Sequence, residues 1–336
     1  LPAIYQKKLI IGIDEAGYGP RLGPLVIGGS AWLTPQTVCQ RQLTDHLAKC
    51  FQPISWYERC GHVPLGDSKV LYRSGTGLAS LESGLMALFL LANPFPNNLL
   101  ELLRPMVGSE LFHVSKSDGL LPWYRQLESF SVPQSIRLDR VELQRLSQLA
   151  TAALQDHQLE MVGIKSLIID EPDFNNQVVK LGSKGTLLSL ASLRLAGQLW
   201  QLGESGQCID AVEIFCDRQG GRKNYLPLLM HWMPDAWFTE TRRSNDRCSY
   251  QSTKGTPVQV HFSVAGDRFP PTALASMTAK YVRERLMQSF NHFWIQHVDG
   301  LAPTAGYPTD AVRFREQIQL TARRLGLDSH LWWREK

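Results

Sequence analysis

From Leu9 to Ile13 the chain is apolar except for Gly12, and the run ends on two acids, Asp14 and Glu15. Gly17, Tyr18, Gly19 and Pro20 follow, then Gly23 and Pro24. A short apolar run stopped by glycine and proline reads as a buried strand entering a tight turn. Leu25–Leu33 reads as a second strand, joined to the first across that turn as a hairpin-like pair. The pattern then predicts a short helix over 37–52, a polar loop from Leu65 to Leu71 and a helix over 78–91. Between 92 and 160 prolines recur at Pro94, Pro96, Pro105, Pro122 and Pro133, and one helix is expected, from about Leu138 to His157. Helical periodicity returns over 184–202. Strands are expected over 211–216 and 258–264, the first closing at Asp217. Pro270 and Pro271 suit the first turn of a long helix reaching about Trp294, and a further short helix is expected in the tail, 310–336. Strands alternating with helices predict an α/β domain.

The first strand carries the most specific chemistry. Neighbouring carboxylates at the end of an apolar strand repel each other and lose hydration, so a fold keeps them there when a positive group sits among them. The glycines after them let backbone approach a ligand closely. Two further acids stand out. Asp217 closes an apolar strand just before Arg218, Gln219, Gly220 and Gly221. Glu284 lies three residues after Tyr281 and seven after Met277, on the same side of the expected helix. Four gathered carboxylates can hold a pair of Mg2+ or Mn2+ ions, an arrangement suited to in-line displacement at phosphorus. Asp170 also ends an apolar run, Ser166 to Ile169, and on pattern alone it rivals Asp217.

The 336 residues, 43% of them hydrophobic, are enough for a full core. A net charge of +4 is compatible with a polyanionic partner. Cys39, Cys50, Cys60, Cys208, Cys216 and Cys248 show no CxxC spacing, which points to free thiols in a reducing cytosol rather than structural zinc. The apolar run Leu85–Ala92 is too short to span a membrane, and no secretory signal opens the sequence. A cytoplasmic location without membrane association is expected.

Together these residues resemble the ribonuclease HII (type 2 ribonuclease H) family. The segment Ile13–Val26 resembles its signature. Gly66, Asp67, Ser68 and Lys69 with Leu71 resemble its Asp-Ser-Lys motif, and Asp217 with Gly220, Tyr225 and Leu226 resembles its strand-end aspartate segment. Gly266 and Asp267 followed by Ala275–Glu284 resemble the helix that carries its fourth acid, and Gly306–Thr309 resembles its late Gly-Tyr motif. Five motifs in family order cover roughly 8–85 and 165–312.

The resemblance implies a ribonuclease H-like mixed β-sheet flanked by helices in a catalytic domain over 1–312, followed by a helical C-terminal tail over 313–336. The segment of about 85–165 has no family counterpart and is expected to be an insertion or subdomain. The implied activity is endonucleolytic cleavage of RNA in RNA–DNA hybrids, or at a ribonucleotide embedded in duplex DNA, with two Mg2+ or Mn2+ ions. Asp14, Glu15, Asp217 and Glu284 would be both catalytic residues and metal ligands. Gly17, Tyr18 and Gly19 would lie against the ribose, where backbone groups can read its 2′-hydroxyl. Ser68 and Lys69 would contact the substrate backbone, and Tyr307 would stack near the cleaved nucleotide. The resemblance also favours Asp217 over Asp170, because Glu171, Pro172 and Asp173 look like a family segment that precedes the third-acid strand. The resemblance leaves protein partners unspecified. Tyr18 stands where the family usually has arginine, Glu284 where it has aspartate, and Thr304 and Ala305 where it often has His-Lys. Two other readings stay open: a non-catalytic relative that binds nucleic acid or protein, and a metal nuclease selective for DNA structure.

Overall fold

The computed structural model describes residues 6–54, 61–72, 77–108, 120–135, 138–205 and 207–335. The first strand, β1 (Lys7–Ala16), pairs antiparallel with β2 (Leu25–Pro35) across the glycine turn, Asp14 lying opposite Gly28. Next come α1 (Gln40–Leu47) and two very short paired strands, β3 (Phe51–Gln52) and β4 (Val63–Pro64). The expected polar loop holds one helical turn, α2 (Ser68–Leu71), because the Asp67 side chain accepts the Lys69 N–H and caps it. Helices α3 (Ala79–Phe89), α4 (Leu99–Val107) and α5 (Arg140–Gln155) lead to β5 (Glu160–Ile169). They are followed by α6 (Glu171–Leu181), α7 (Lys184–Glu204), β6 (Ala211–Asp217) and α8 (Leu226–Trp232). Strands β7 (Phe238–Arg243), β8 (Arg247–Ser252) and β9 (Val258–Ser263) precede the long α9 (Pro270–His297) and then α10 (Pro308–Arg324).

Seven strands form one sheet in the order β5-β2-β1-β6-β9-β8-β7. The β1–β6 and β6–β9 pairs are parallel and the remainder antiparallel, so the expected mixed sheet flanked by helices is the observed architecture. Side chains alternate across a strand. On β1, Leu9, Ile11 and Ile13 therefore enter the core that packs against α7 and α8, while Ile10 enters the core that packs against α9. The period of two makes Asp14 and Glu15 leave the same strand end on opposite faces.

Gly12 and Gly28 sit beneath α9. A Cβ on Gly12 would lie 2.2 Å from the Pro271 carbonyl carbon, and one on Gly28 would lie 2.2 Å from the Ala275 oxygen. Backbone lies against backbone here, and no side chain can yield. Gly28→Ala should therefore destabilise the fold by about 3 kcal/mol, the upper range for overpacking, read as a lowered midpoint in urea with an unchanged slope.

Among the described residues the 85–165 segment shares its core with the rest of the fold. Leu99, Leu102, Trp123, Leu143 and Leu146 belong to the same apolar cluster as Leu274, Tyr281 and Phe290 of α9. Trp123 is buried, edge-on to Phe290 at 5.3 Å and to Phe293 at 5.8 Å, so it is core rather than a platform for bases. Buried Glu82 of α3 joins the segment to α9: it accepts the Gln134 N–H at 2.7 Å, the Ser135 N–H at 3.2 Å and the Tyr281 hydroxyl. The segment also supplies β5, which lies beside β2 in the main sheet. Strands β5, β7 and β8 and helices α4, α6 and α8 are not marked by the sequence pattern. Strand β5 is buried along most of its length, so its apolar positions do not alternate, while β7 is exposed at every position but Phe238 and carries no apolar run.

Among the described residues no helix is long and apolar enough to cross a membrane. Cys39, Cys50, Cys208, Cys216 and Cys248 are free thiols, and Cys60 lies outside the described residues.

Candidate active site

Strands β1 and β6 run parallel with Ile13 opposite Cys216, so their C-terminal ends bring Asp14 and Glu15 beside Asp217. Asp14 is 8% exposed, and its carboxylate accepts the Glu15 N–H at 2.8 Å and the Ser276 hydroxyl of α9. Burial pushes the Asp14 carboxyl well above the usual carboxylate range, and the charges of Glu15 and Asp217 push it further. Burial and then Asp217 raise Glu15 to about 7. Asp217 is raised by burial too, although it accepts the Gly266 N–H at 2.8 Å. Lys69 is the nearby cation that opposes these shifts, lowering both Glu15 and Asp217.

Glu284, the fourth acid of the resemblance, is engaged by other side chains. Its carboxylate is held by Lys280 at 2.8 Å, has the Arg283 guanidinium at 3.7 Å and hydrogen-bonds the Tyr72 hydroxyl. The α9 residue that reaches Asp14 is Ser276, two turns earlier, and eight residues of helix rise about 12 Å.

A further acid, Asp267, approaches Asp217 from the short turn between β9 and α9. Burial raises its pKa first, then the charges of Asp67 and Asp217. Asp67, Lys69, Asp217, Asp267 and Arg268 line one cleft of about 660 Å³. Asp267 was present in the Gly266-Asp267 motif. A polar loop carries no periodicity, and only the packing of that loop against the end of β6 marks the residue. A Cβ on Gly266 would sit 3.2 Å from the Asp217 Cα, so glycine there allows the close approach.

Ser68 differs from expectation as well. It is buried, with its hydroxyl 3.1 Å from that of Ser276, so it supports Asp14 through Ser276 instead of facing a ligand. Lys69 lines the cleft. Asp170 caps α6 through the Asp173 N–H at 3.0 Å, a structural role. Its neighbour Glu171 is fully buried and accepts the Gly23 N–H at 3.0 Å, a contact to the glycine turn that the sequence does not reveal.

The turn itself is tightly built. Gly17 has φ +89°, and a Cβ there would meet Arg283 Nε at 2.5 Å, so no other residue fits without strain. A Cβ on Gly19 would meet nothing within 4 Å, which leaves that position open to a ligand. The N–H groups of Gly17, Tyr18 and Gly19 have no hydrogen-bond partner among the described residues. The Tyr18 ring lies under the Lys184 ammonium at 4.9 Å. Burial raises its hydroxyl pKa, and then the Glu15 charge does so. Gly306 closes the turn by accepting the Arg21 N–H at 2.7 Å and the Leu22 N–H at 3.3 Å. Tyr307 is thereby set beside it, 51% exposed, with its ring 6.0 Å from the Arg283 guanidinium.

Among the described residues no three His, Cys, Asp or Glu side chains stand ready to hold a metal ion. The donor chemistry nevertheless fits a hard divalent cation. The cluster offers carboxylate oxygens alone, and its buried, mutually repelling acids would be relieved by positive charge placed between them.

No protein-family model matches the chain, and no protein of curated function is similar to it in sequence. Solved structures do match. The RNase HII in the PCNA:RNase HII complex from Archaeoglobus fulgidus is 14% identical, with 98% of this chain and 94% of that chain covered and a TM-score of 0.42. The ribonuclease H2 from Pyrococcus horikoshii is 13% identical, with 96% and 92% covered and a TM-score of 0.41. Bst-RNase HIII in complex with Mn2+ is 14% identical, with 99% and 68% covered and a TM-score of 0.41.

Proposed function

We propose that this protein is a divergent type 2 ribonuclease H, a divalent-metal-dependent endonuclease acting on RNA in RNA–DNA hybrids or at a ribonucleotide within duplex DNA. One observation carries the reading: the parallel register of β1 and β6 sets Asp14 and Glu15 beside Asp217 at one end of the sheet, next to the open glycine turn, and the turn before α9 brings Asp267 against Asp217. These four would hold Mg2+ or Mn2+. When bound, such ions activate water and neutralise the leaving oxygen of a phosphodiester.

The chain's own residues supply positioning. Ser276, backed by Ser68, holds the Asp14 carboxylate in place. Lys69 offers a cation to a phosphate entering the cleft, a contact that places a strand without reading its sequence. The free N–H groups at Tyr18 and Gly19 suit hydrogen bonding to a ribose 2′-hydroxyl. Tyr307 offers an exposed ring for stacking on the adjoining base or sugar.

The test is a substrate panel: a DNA duplex with one embedded ribonucleotide, an RNA–DNA hybrid and plain DNA, each with Mg2+ or Mn2+. Cleavage on the 5′ or 3′ side of ribonucleotides, with plain DNA intact, is expected. Binding without cleavage of any substrate would make the chain a non-catalytic relative. Cleavage of plain DNA alone would make it a nuclease of another specificity.

A further inference from the structure

Arg334 is 1% exposed; its Nη1 is buried without a hydrogen-bond partner, and its Nε and Nη2 are spent on the glycine turn. Nη2 donates to the Gly17 carbonyl at 2.7 Å, to that of Tyr18 at 3.4 Å and to that of Pro20, while Nε donates to Pro20 at 3.0 Å. The contact is reciprocal. The Arg334 N–H donates to the Arg21 carbonyl at 2.9 Å, and Arg21 Nη1 donates back to the carbonyls of Arg334 at 3.2 Å and Glu335 at 2.6 Å. Behind it the guanidinium lies over the Phe174 ring at 4.3 Å. Asn175 fixes the segment on both sides, donating to the Trp333 carbonyl at 2.8 Å and accepting the Glu335 N–H at 2.9 Å.

A buried arginine is a costly way to hold a loop where apolar packing would do. The direction of its bonds gives the reason. In a trans peptide the carbonyl and the following N–H point opposite ways. Turning the Gly17 and Tyr18 carbonyls inward to Arg334 therefore turns the Tyr18 and Gly19 N–H groups outward, and these are the groups left without a partner.

We propose that Arg334 is a positioning residue for the glycine turn, aiming the Tyr18 and Gly19 N–H groups at the substrate ribose. The grip on the turn stands on the hydrogen bonds alone; its consequence for cleavage rests on the nuclease reading above. Arg283 works from the other side, on the Leu22 and Ala305 carbonyls, so removing Arg334 frees one side of the turn without releasing the other.

Two measurements on the full chain test this. The first is amide hydrogen exchange. Arg334→Ala should speed exchange at Arg21, Leu22 and Gly23, whose N–H groups are bonded in the closed turn, about tenfold or more while leaving β1 and α9 unchanged. Unchanged exchange at those three amides, or an increase spread evenly over the chain, would overturn the proposal. Where Arg334→Ala does not fold, Arg334→Lys serves. It keeps the charge but loses the planar fork, and faster exchange confined to the turn is still required of it. The second is steady-state cleavage of a duplex with one ribonucleotide. A drop in kcat of about 100-fold is expected, the scale of a roughly 1 Å misplacement, with KM within about threefold and partial rescue by added methylguanidinium. A rise in KM alone would overturn the positioning role. If the wild-type protein cleaves nothing, the nuclease reading fails while the exchange result still decides whether Arg334 sets the turn.

Discussion

Asp217→Asn should lower turnover of a ribonucleotide-containing duplex by about a thousandfold, the loss of roughly 4 kcal/mol of stabilisation where charge develops in the transition state. The substitution keeps the shape of the side chain and the acceptor for the Gly266 N–H, so the end of β6 should not move. It removes one of the negative charges that hold the pKa of Asp14 and Glu15 up. Duplex binding, followed by anisotropy in the absence of divalent ions, should therefore be unchanged or tighter, since less negative charge faces the phosphates. A variant that turns over within about tenfold of wild type would remove Asp217 from the site.

The second large effect separates two acids. Asp267→Asn should cost turnover about as much as Asp217→Asn, whereas Glu284→Gln should leave it within about fivefold. Asp267 lies in the cleft under the charge of Asp217 and Asp67. Glu284 spends its carboxylate on Lys280 and Tyr72, and a half-buried i,i+4 pair of this kind contributes about 0.5 kcal/mol to a helix. Parallel kinetics on the two purified variants, with thermal midpoints as a check on folding, decide between them. A dead Glu284→Gln enzyme beside an active Asp267→Asn enzyme would restore the assignment made on sequence spacing.

The legible parts of the site were those made by contiguous residues. The run from Leu9 to Pro24 announced its strand, its acid pair and its turn, because each is produced by interactions within a few residues. The strand ending at Asp217 and the helix beginning at Pro270 were legible for the same reason. Less was legible wherever a side chain's role depends on what packs against it. Ser68 reads as a polar loop residue and is buried against Ser276. Glu171 reads as a helix N-terminal acid and holds Gly23. Arg334 belongs to no pattern at all, since its partners lie more than three hundred residues earlier in the chain.

The sequence by itself determined the fold class, the paired acids Asp14 and Glu15 with the glycine turn that follows them, and the strand end that carries Asp217. These are local matters of alternation, propensity and turn chemistry, and they do not need the rest of the molecule. The tertiary structure alone decided which other groups share that end of the sheet. The parallel register of β1 with β6 sets Asp217 beside the pair. The glycines that draw α9 down onto β1 and β2 bring Ser276 to Asp14 and leave Glu284 two turns away. The loop packed against β6 delivers Asp267. Strand order and helix placement are fixed by packing over the whole core, so no window of sequence contains them, and the set of acids that act together is a property of the fold.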